Sequence, residues 1–496
     1  MIEISLKDVQ NRLLFDNPWW NENGNVPYAN LPERHYLESF LHLVKDRSVR
    51  RAVILMGPRR VGKTVMLFQA IGKLIALGTP PRSILFLSLE TPIYTGLALE
   101  KFVHLFQDRF RHEPGVPLTI VFDEIQYLRD WEVHLKSLVD SYPKIRFIAS
   151  GSAAAALLLK SRESGAGRFT EFLLPPLTFA EYLGFINKAD ALIEETEGNR
   201  DVGLSPTYRA RDIDALNREF IEYLNIGGYP EAVFNEAVRQ DRERYIKSDI
   251  IDKVLLRDLP QLYGIRDIQE LNRLFTTLAY NTGNEVSLED LSKSSGVVKT
   301  TLNRYIEYLE AAFLIRRVYR IDQNAKQFKR AMAFKVYLTN PTMRAALFGS
   351  LAEDDQSMGA LAETALFSQW FHDQEWIKNI HYARWAKGEI DMVFLYPAIQ
   401  KPAWCVEVKW SDRVMSDPAE LRHLKAFLQT HPTIGEDGCS ITTKTVSDSY
   451  AFEQWKIELV PTSLLVYRVG KNIVESLKNQ IAEKLRAASV TDSLSP

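Results

Sequence analysis

Three clusters of residues in this 496-residue chain have the types and spacing for chemistry. The first is Gly57-Pro58-Arg59-Arg60-Val61-Gly62-Lys63-Thr64, which fits G-x-x-x-x-G-K-[ST] in full. Glycines let a backbone wrap around phosphate, and a helix starting where the loop ends turns N–H groups and partial positive charge toward the anion. In that geometry Lys63 reaches the β- and γ-phosphates of ATP and Thr64 holds Mg²⁺. The second cluster is Asp123-Glu124, which ends the apolar run LTIVFDE. Asp123 is expected to hold the metal's water shell and Glu124 to polarise the attacking water, which suits hydrolysis rather than binding alone. The third lies far downstream, in GEIDMVF and CVEVKW. Strand residues at i and i+2 share a face, so Glu407 and Lys409 lie together, with Val406 and Val408 opposite. Asp391 begins the preceding strand and meets Glu407 if the two strands form a hairpin. Two carboxylates hold Mg²⁺ or Mn²⁺ through oxygen and leave water on the ion. A lysine beside them orients or deprotonates an attacking water and steadies charge on a phosphorane. Glu363, in the helical stretch GALAETALFSQW, is a further candidate acidic ligand.

These side chains need a frame. Ala52 to Met56 reads as a buried strand running into the loop, and VMLFQAIGKLIALG as the helix after it, stopped at Gly78. SILFLSL, LTIVFDE and IRFIASG are further strands. Strands alternating with helical patterns predict an α/β domain with a parallel sheet and crossover helices. In IASGS, Ser150 or Ser152 ends a strand where a polar side chain senses the γ-phosphate. SRESGAGRF offers Arg162 and Arg168; either, acting on a neighbouring subunit, is an arginine finger, and the active form is then a homo-oligomer.

Farther along, Asn187 to Asp214 is polar and carries Gly and Pro, the composition of an inserted loop or linker. A helical region follows from about 213 to 263. Residues 270–345 carry a helix-turn-helix pattern: a Ser287 cap, a turn at Ser295-Gly296, and a second helix from Lys299 with Leu302, Tyr305, Ile306 and Leu309 at helical spacing. RRVYRI suits a wing. Lys299, Thr300, Asn303 and Arg304 start the second helix, the end that enters a major groove. Arg316, Arg317 and Arg320 would then reach phosphates, with KQFKR as a local basic run. The alternative is a lid that touches no nucleic acid. From about Leu351 the pattern gives a helix, a strand pair and another helix, and after about Ala487 a disordered tail. The expected divisions are 1–186, 187–269, 270–345, 346–470 and 471–496.

Composition narrows the classes. A net charge of -2 means that nucleic-acid binding must come from local patches. Two cysteines, Cys405 and Cys439, exclude a zinc cluster or disulfide scaffold and fit a reducing cytoplasm. MIEISLKDVQN has no signal-peptide core, and the run AAAALLL is too short to span a bilayer. No membrane role is expected.

NPWW, GPRRVGKT, VFDEIQYLRDWEVHLKSLVD, ASGS, AGRFTEFLLPPLTFAEYL and GGYPE resemble, in order and spacing, a large family of prokaryotic AAA-type ATPases whose C-terminal part is usually described as a domain of unknown function. The resemblance covers most of the chain; the polar segment from Asn187 to Asp214 departs from the family's compact connection. It implies an AAA+ core, a winged-helix segment and a restriction-endonuclease-like C-terminal domain. Glu363, Asp391, Glu407 and Lys409 resemble the E…D…E-x-K constellation of PD-(D/E)xK nucleases. The expectation is an ATP-hydrolysing enzyme fused to a metal-dependent nuclease that acts on DNA rather than RNA. The alternative is a nucleotide-dependent switch or remodelling ATPase whose C-terminal fold is only a docking module.

Overall fold

Ala52–Met56 (β1) is five apolar residues in a row, all buried, the pattern of a strand covered on both faces. Four strands join it: β2 (Ile84–Ser88), β3 (Leu118–Asp123), β4 (Ile145–Gly151) and β5 (Phe169–Leu173). All pair in parallel, in the order β2-β3-β4-β1-β5. Because β4 separates β1 from β3, the end of β4 stands between the loop leaving β1 and the acidic end of β3. The computed structural model describes residues 5–492 apart from 22–23, 95, 152–166, 197–206 and 328–332. The chain divides into two compact units, Met1–Pro175 with Val474–Pro496, and Pro176–Ile473.

In the first unit, helix α1 (Leu6–Asp16) leads into NPWW, which covers the outer edge of β2. Asn17 Nδ2 donates to the Phe86 carbonyl at 2.8 Å, and Asn17 Oδ1 accepts from the Phe86 N–H at 2.6 Å. Trp20 Nε1 donates to the Ile84 carbonyl at 2.8 Å. These side chains take the place of a strand neighbour and satisfy backbone groups that an open edge would leave bare.

The second unit is built on a nine-stranded sheet, ordered β15-β16-β14-β13-β12-β11-β9-β10-β8. Its first part is the antiparallel set β8 (Glu285–Ser287), β10 (Ala333–Leu338) and β9 (Ile315–Ile321). Helices α2 (Leu288–Ser295) and α3 (Lys299–Ala311) lie between β8 and β9 in the chain. The Ser287 side chain accepts from the Asp290 N–H at 3.0 Å, and Gly296, at φ 75°, ends α2. Leu302, Tyr305, Ile306 and Leu309 are the buried face of α3. Helix α4 (Met358–Ser368) follows, then an antiparallel meander of β11 (Ile380–Trp385), β12 (Gly388–Leu395) and β13 (Pro402–Glu407). Helix α5 (Arg422–Thr430) leads to β14 (Cys439–Thr443), which lies parallel to β13, and the sheet ends with β15 (Asp448–Phe452) and β16 (Trp455–Pro461).

Four expectations change. The segments divided at 345 share one sheet, because β9 pairs in parallel with β11 through Tyr382↔Arg320 and Ala383↔Ile321. Ile321 accordingly packs into the same core as Ile390 and Phe427. The polar segment near residue 200 is not all loop: β6 (Ile193–Thr196) and β7 (Thr207–Ala210) pair antiparallel on either side of residues 197–206. The segment after 487 continues a helix that spans Thr462–Asp492. The single strand pair expected near the C-terminus is six strands, because CSITT and WKIELVP also alternate into the sheet.

Candidate functional site

The phosphate loop has the strand-loop-helix context that its motif requires. Gly57 follows β1 at φ 153°, and a Cβ there would lie 2.2 Å from the Leu174 carbonyl oxygen, so only glycine fits. Gly62, at φ 95°, caps the helix Lys63–Ala76. Between them run Pro58, Arg59, Arg60 and Val61, with Arg60 at φ 63°. Lys63 is buried, and its ammonium donates to the carbonyls of Gly57 and Pro58 at 3.0 and 2.7 Å, where it spans the loop from inside. Arg34, which sequence reading did not single out, braces the loop from behind: its guanidinium donates to the carbonyls of Val61 at 2.7 Å and Pro175 at 2.9 Å.

The acidic end of β3 meets this loop. Thr64 Oγ1 donates to Asp123 Oδ2 at 2.8 Å, and the Ser150 hydroxyl at the end of β4 donates to Asp123 Oδ1. Burial first, and then the neighbouring Glu124, push the Asp123 carboxyl above its ordinary value. Glu124 adopts the left-handed conformation at φ 52°, a strained position for a non-glycine residue, and its N–H donates to Ser150 Oγ at 3.2 Å. Its carboxylate accepts from the Gln126 amide. Arg168 stands at the start of β5, the end of the sheet away from the loop, and pairs with Asp140 at 2.5 Å. Arg162 and Ser152 lie outside the described residues.

In the second unit, Asp391 sits in β12 and Glu407 ends β13; the register Met392↔Val406 sets them opposite one another. Asp391 Oδ2 accepts from the Val408 N–H at 2.9 Å, and Lys409 Nζ lies 2.8 Å from Glu407 Oε1. The Lys409 backbone is fixed on both sides, its N–H donating to Thr442 Oγ1 at 2.7 Å and its carbonyl accepting from Thr442 and Thr462 at 2.8 and 3.0 Å. Glu407 Oε2 is buried with no hydrogen-bond partner. Glu363 projects from α4 and accepts from the Tyr337 hydroxyl.

A lysine absent from the sequence reading lies at the centre. Lys335, on β10 and with a side chain only 3% exposed, places Nζ 2.9 Å from Glu363, 2.9 Å from Glu389 and 3.0 Å from Asp391. The signal was present: Lys335 and Tyr337 share one face of KVY, and Glu389 and Asp391 share one face of GEID. Burial and the Asp391 charge push Glu363 up to about 7, and the same two causes raise Glu407. Burial would raise Asp391 as well, but Lys335 and Lys409 hold it below its ordinary value. A cavity of about 620 Å³ opens at this cluster, lined also by Arg384, Trp385 and His423. Among the described residues, no three His, Cys, Asp or Glu side chains gather to cage a metal. Asp391 and Glu407 are the carboxylates that would hold a cation, with Glu407 Oε2 unpartnered; such a pair fits a hard ion that keeps most of its water, Mg²⁺ or Mn²⁺.

The residues expected at nucleic acid divide. Arg317 is not at the surface. It grips Glu310 at 2.9 and 2.7 Å and reaches Asn303 Oδ1 at 2.7 Å, because β9 and α3 close a half-buried polar contact there. Arg320 donates to the Arg384 carbonyl at 3.1 Å, and Lys299 lies 3.6 Å from Glu289. Lys326 and Gln327 are described, but the rest of KQFKR is not.

Residues 49–183 match a family model described as an AAA domain. The chain carries an AAA-type P-loop ATPase domain. Residues 217–354 of the same ATPase-bearing chain match a model described as a domain of unknown function. An uncharacterized protein of Methanocaldococcus jannaschii is 26% identical over 370 residues, 72% of this chain and 75% of that protein. An uncharacterized protein of Haemophilus influenzae is 27% identical over 327 residues, 64% of this chain and 74% of that one. A solved Walker-type ATPase of Pyrococcus abyssi is similar over 66% of this chain and 99% of its own, at 16% identity and a TM-score of 0.39. Among the described residues no helix is long and apolar enough to cross a membrane.

Proposed function

We propose that the chain hydrolyses ATP at its first unit and cleaves DNA, in preference to RNA, at its second. The observation that carries the second half is the meeting of Asp391, Glu407 and Lys409 beside an open cavity, with one Glu407 oxygen buried and unpartnered. Such an oxygen is costly to keep without a proton or a cation. Bound Mg²⁺ or Mn²⁺ would supply Lewis-acid charge to a phosphodiester oxygen. Lys409, fixed through its backbone and 2.8 Å from Glu407, orients the attacking water and offsets the charge that grows on phosphorus.

In the first unit, Lys63 would leave the loop carbonyls for the β- and γ-phosphates, Thr64 and Asp123 would hold the Mg²⁺ that accompanies ATP, Ser150 would orient Asp123, and Glu124 would polarise water. Arg168 would serve a neighbouring subunit's nucleotide once released from Asp140, which makes the working form a homo-oligomer.

A second reading keeps the ATPase as a switch and the C-terminal fold as a docking module. It is favoured by Lys335, which already neutralises part of the carboxylate cluster. The deciding assay incubates supercoiled plasmid, single-stranded DNA and RNA with Mg²⁺ or Mn²⁺, with and without ATP. Cleavage that is lost in Lys409→Ala supports the nuclease, and a further dependence on Glu124 in Glu124→Gln ties it to hydrolysis. Intact substrates beside continuing ATP turnover would leave the switch as the reading.

A further inference from the structure

The carboxylate cluster holds more negative charge than one lysine balances. Glu363, Glu389, Asp391 and Glu407 face two ammonium groups, Lys335 and Lys409. Of the other charges in the cavity, Arg384 lies 3.2 Å from Glu285 and 3.7 Å from Glu389, and adds one positive charge against the one negative charge of Glu285. Were all of these carboxyls ionised, two negative charges would be left over, the charge of one divalent cation. The two lysines also divide the oxygens. Lys335 takes Glu363 Oε1, Glu389 Oε1 and Asp391 Oδ1; Lys409 takes Glu407 Oε1; the Val408 N–H takes Asp391 Oδ2. The buried oxygen left without a partner is Glu407 Oε2.

The geometry points to Lys335 as a fixed cation that fills the position of a second metal ion, so that the site takes one divalent ion, on the Asp391–Glu407 side, and not two. This rests on the metal reading above. Three features of Lys335 support it. Its ammonium sits within 3.0 Å of three separate carboxylates, as a metal would. It is nearly sealed from solvent at 3% exposure, and, being bonded to the chain, it is a permanent charge. It comes from β10, a strand inside the matched domain of unknown function, whereas Asp391 and Glu407 come from β12 and β13 beyond that match. One segment therefore provides the permanent charge and another provides the exchangeable one. Charge stabilisation of a leaving oxygen, which a second metal supplies in two-ion sites, would here fall to an ammonium.

Mn²⁺ binding tests this without reference to activity. Mn²⁺ is titrated into nucleotide-free full-length protein carrying Asp123→Asn, which silences the phosphate loop, and bound ions are counted by electron paramagnetic resonance. The expected count is one per chain, rising to two when Lys335→Met is added. Since Lys335→Met leaves three carboxylates facing one another, the titration is repeated on Lys335→Met/Glu389→Gln, which removes one of those charges; the count expected is again two. One ion with and without Lys335 would overturn the lysine's role and leave the metal reading standing. Two ions while Lys335 is present would overturn it as well. An ion that binds only after Lys335 is removed would make the lysine a block, not a substitute. No ion in any variant would remove the metal reading and this inference with it.

Discussion

Thr64 Oγ1 donates to Asp123 Oδ2 at 2.8 Å, so the two side chains expected to share a metal ion are bonded directly to each other. The phosphate loop and the acidic end of β3 thus meet across β4, with Ser150 filling the gap between them. Under the proposed function, binding a metal–nucleotide complex would exchange this bond for contacts to the ion.

Thr64→Ala should therefore weaken nucleotide binding in a metal-dependent way. Affinity for Mg²⁺–ATP is expected to fall by about tenfold, near 1.4 kcal/mol, while affinity measured in chelator changes little. Titration of a fluorescent nucleotide with and without Mg²⁺ reads both. An equal loss in both conditions would mean that Thr64 shapes the loop and does not serve the ion.

Arg34 holds two carbonyls at once, Val61 in the loop and Pro175 after β5. Arg34→Ala strands both acceptors in a buried place, and a cost of about 2–4 kcal/mol is expected from urea unfolding. Arg34→Lys should recover little of it, since a single ammonium does not reproduce a planar fork reaching two carbonyls. Nucleotide affinity should fall in both variants, because the Val61 carbonyl is part of the loop's wall.

Arg317 was expected to touch phosphate and is instead half-buried and engaged by Glu310 and Asn303. Arg317→Ala should cost about 1–3 kcal/mol of stability, the penalty for leaving a half-buried carboxylate without its charged partner. The salt dependence of any nucleic-acid binding should keep its slope in a sufficiently stable form of that variant. A shallower slope without loss of stability would restore the phosphate contact.

His381 gives the second unit an acid limb. The side chain is 7% exposed, Nδ1 has no partner, and burial lowers its pKa from 6.5 to about 4. The unfolded chain takes up this proton near pH 6.5 while the folded chain resists until about pH 4, so protons favour unfolding across that window. Stability from this group is complete above pH 6.5 and falls by about 3 kcal/mol as pH drops toward 4. His381→Gln, which has no proton to gain, should show a flatter melting profile over the same range.

Much of the first unit was legible because its signals are local. A strand, a glycine loop and a helix are contiguous in RAVILMGPRRVGKT, and LTIVFDE carries strand and acid together. Ser150 was one of two readings, and the choice depends on where β4 ends beside Asp123, which spacing along the chain does not reveal. The second unit was legible in pieces. Asp391, Glu407 and Lys409 followed from the two-residue period of strands. Lys335 did not, because its meaning comes from β10 lying near β12 in the sheet with β9 and β11 between them, a fact of strand order. Arg317 failed for a related reason: charge along a strand reads as solvated until the helix opposite is known to carry Glu310. Tertiary pairing, and not propensity, decided both.

The parallel pairing of β9 with β11 has a mechanical consequence. A continuous ladder is stiff along its length, so the first residues of α3 and the cavity at Asp391 are held at a constant separation, like two marks on a gauge. If, as proposed, the second unit cleaves DNA and α3 grips the duplex, the break would fall at a set offset from the point of grip. Changing that offset would take a shift in strand register, which reverses every side chain on the moved strand. The offset would thereby be protected by the core that Ile321 and Phe427 share.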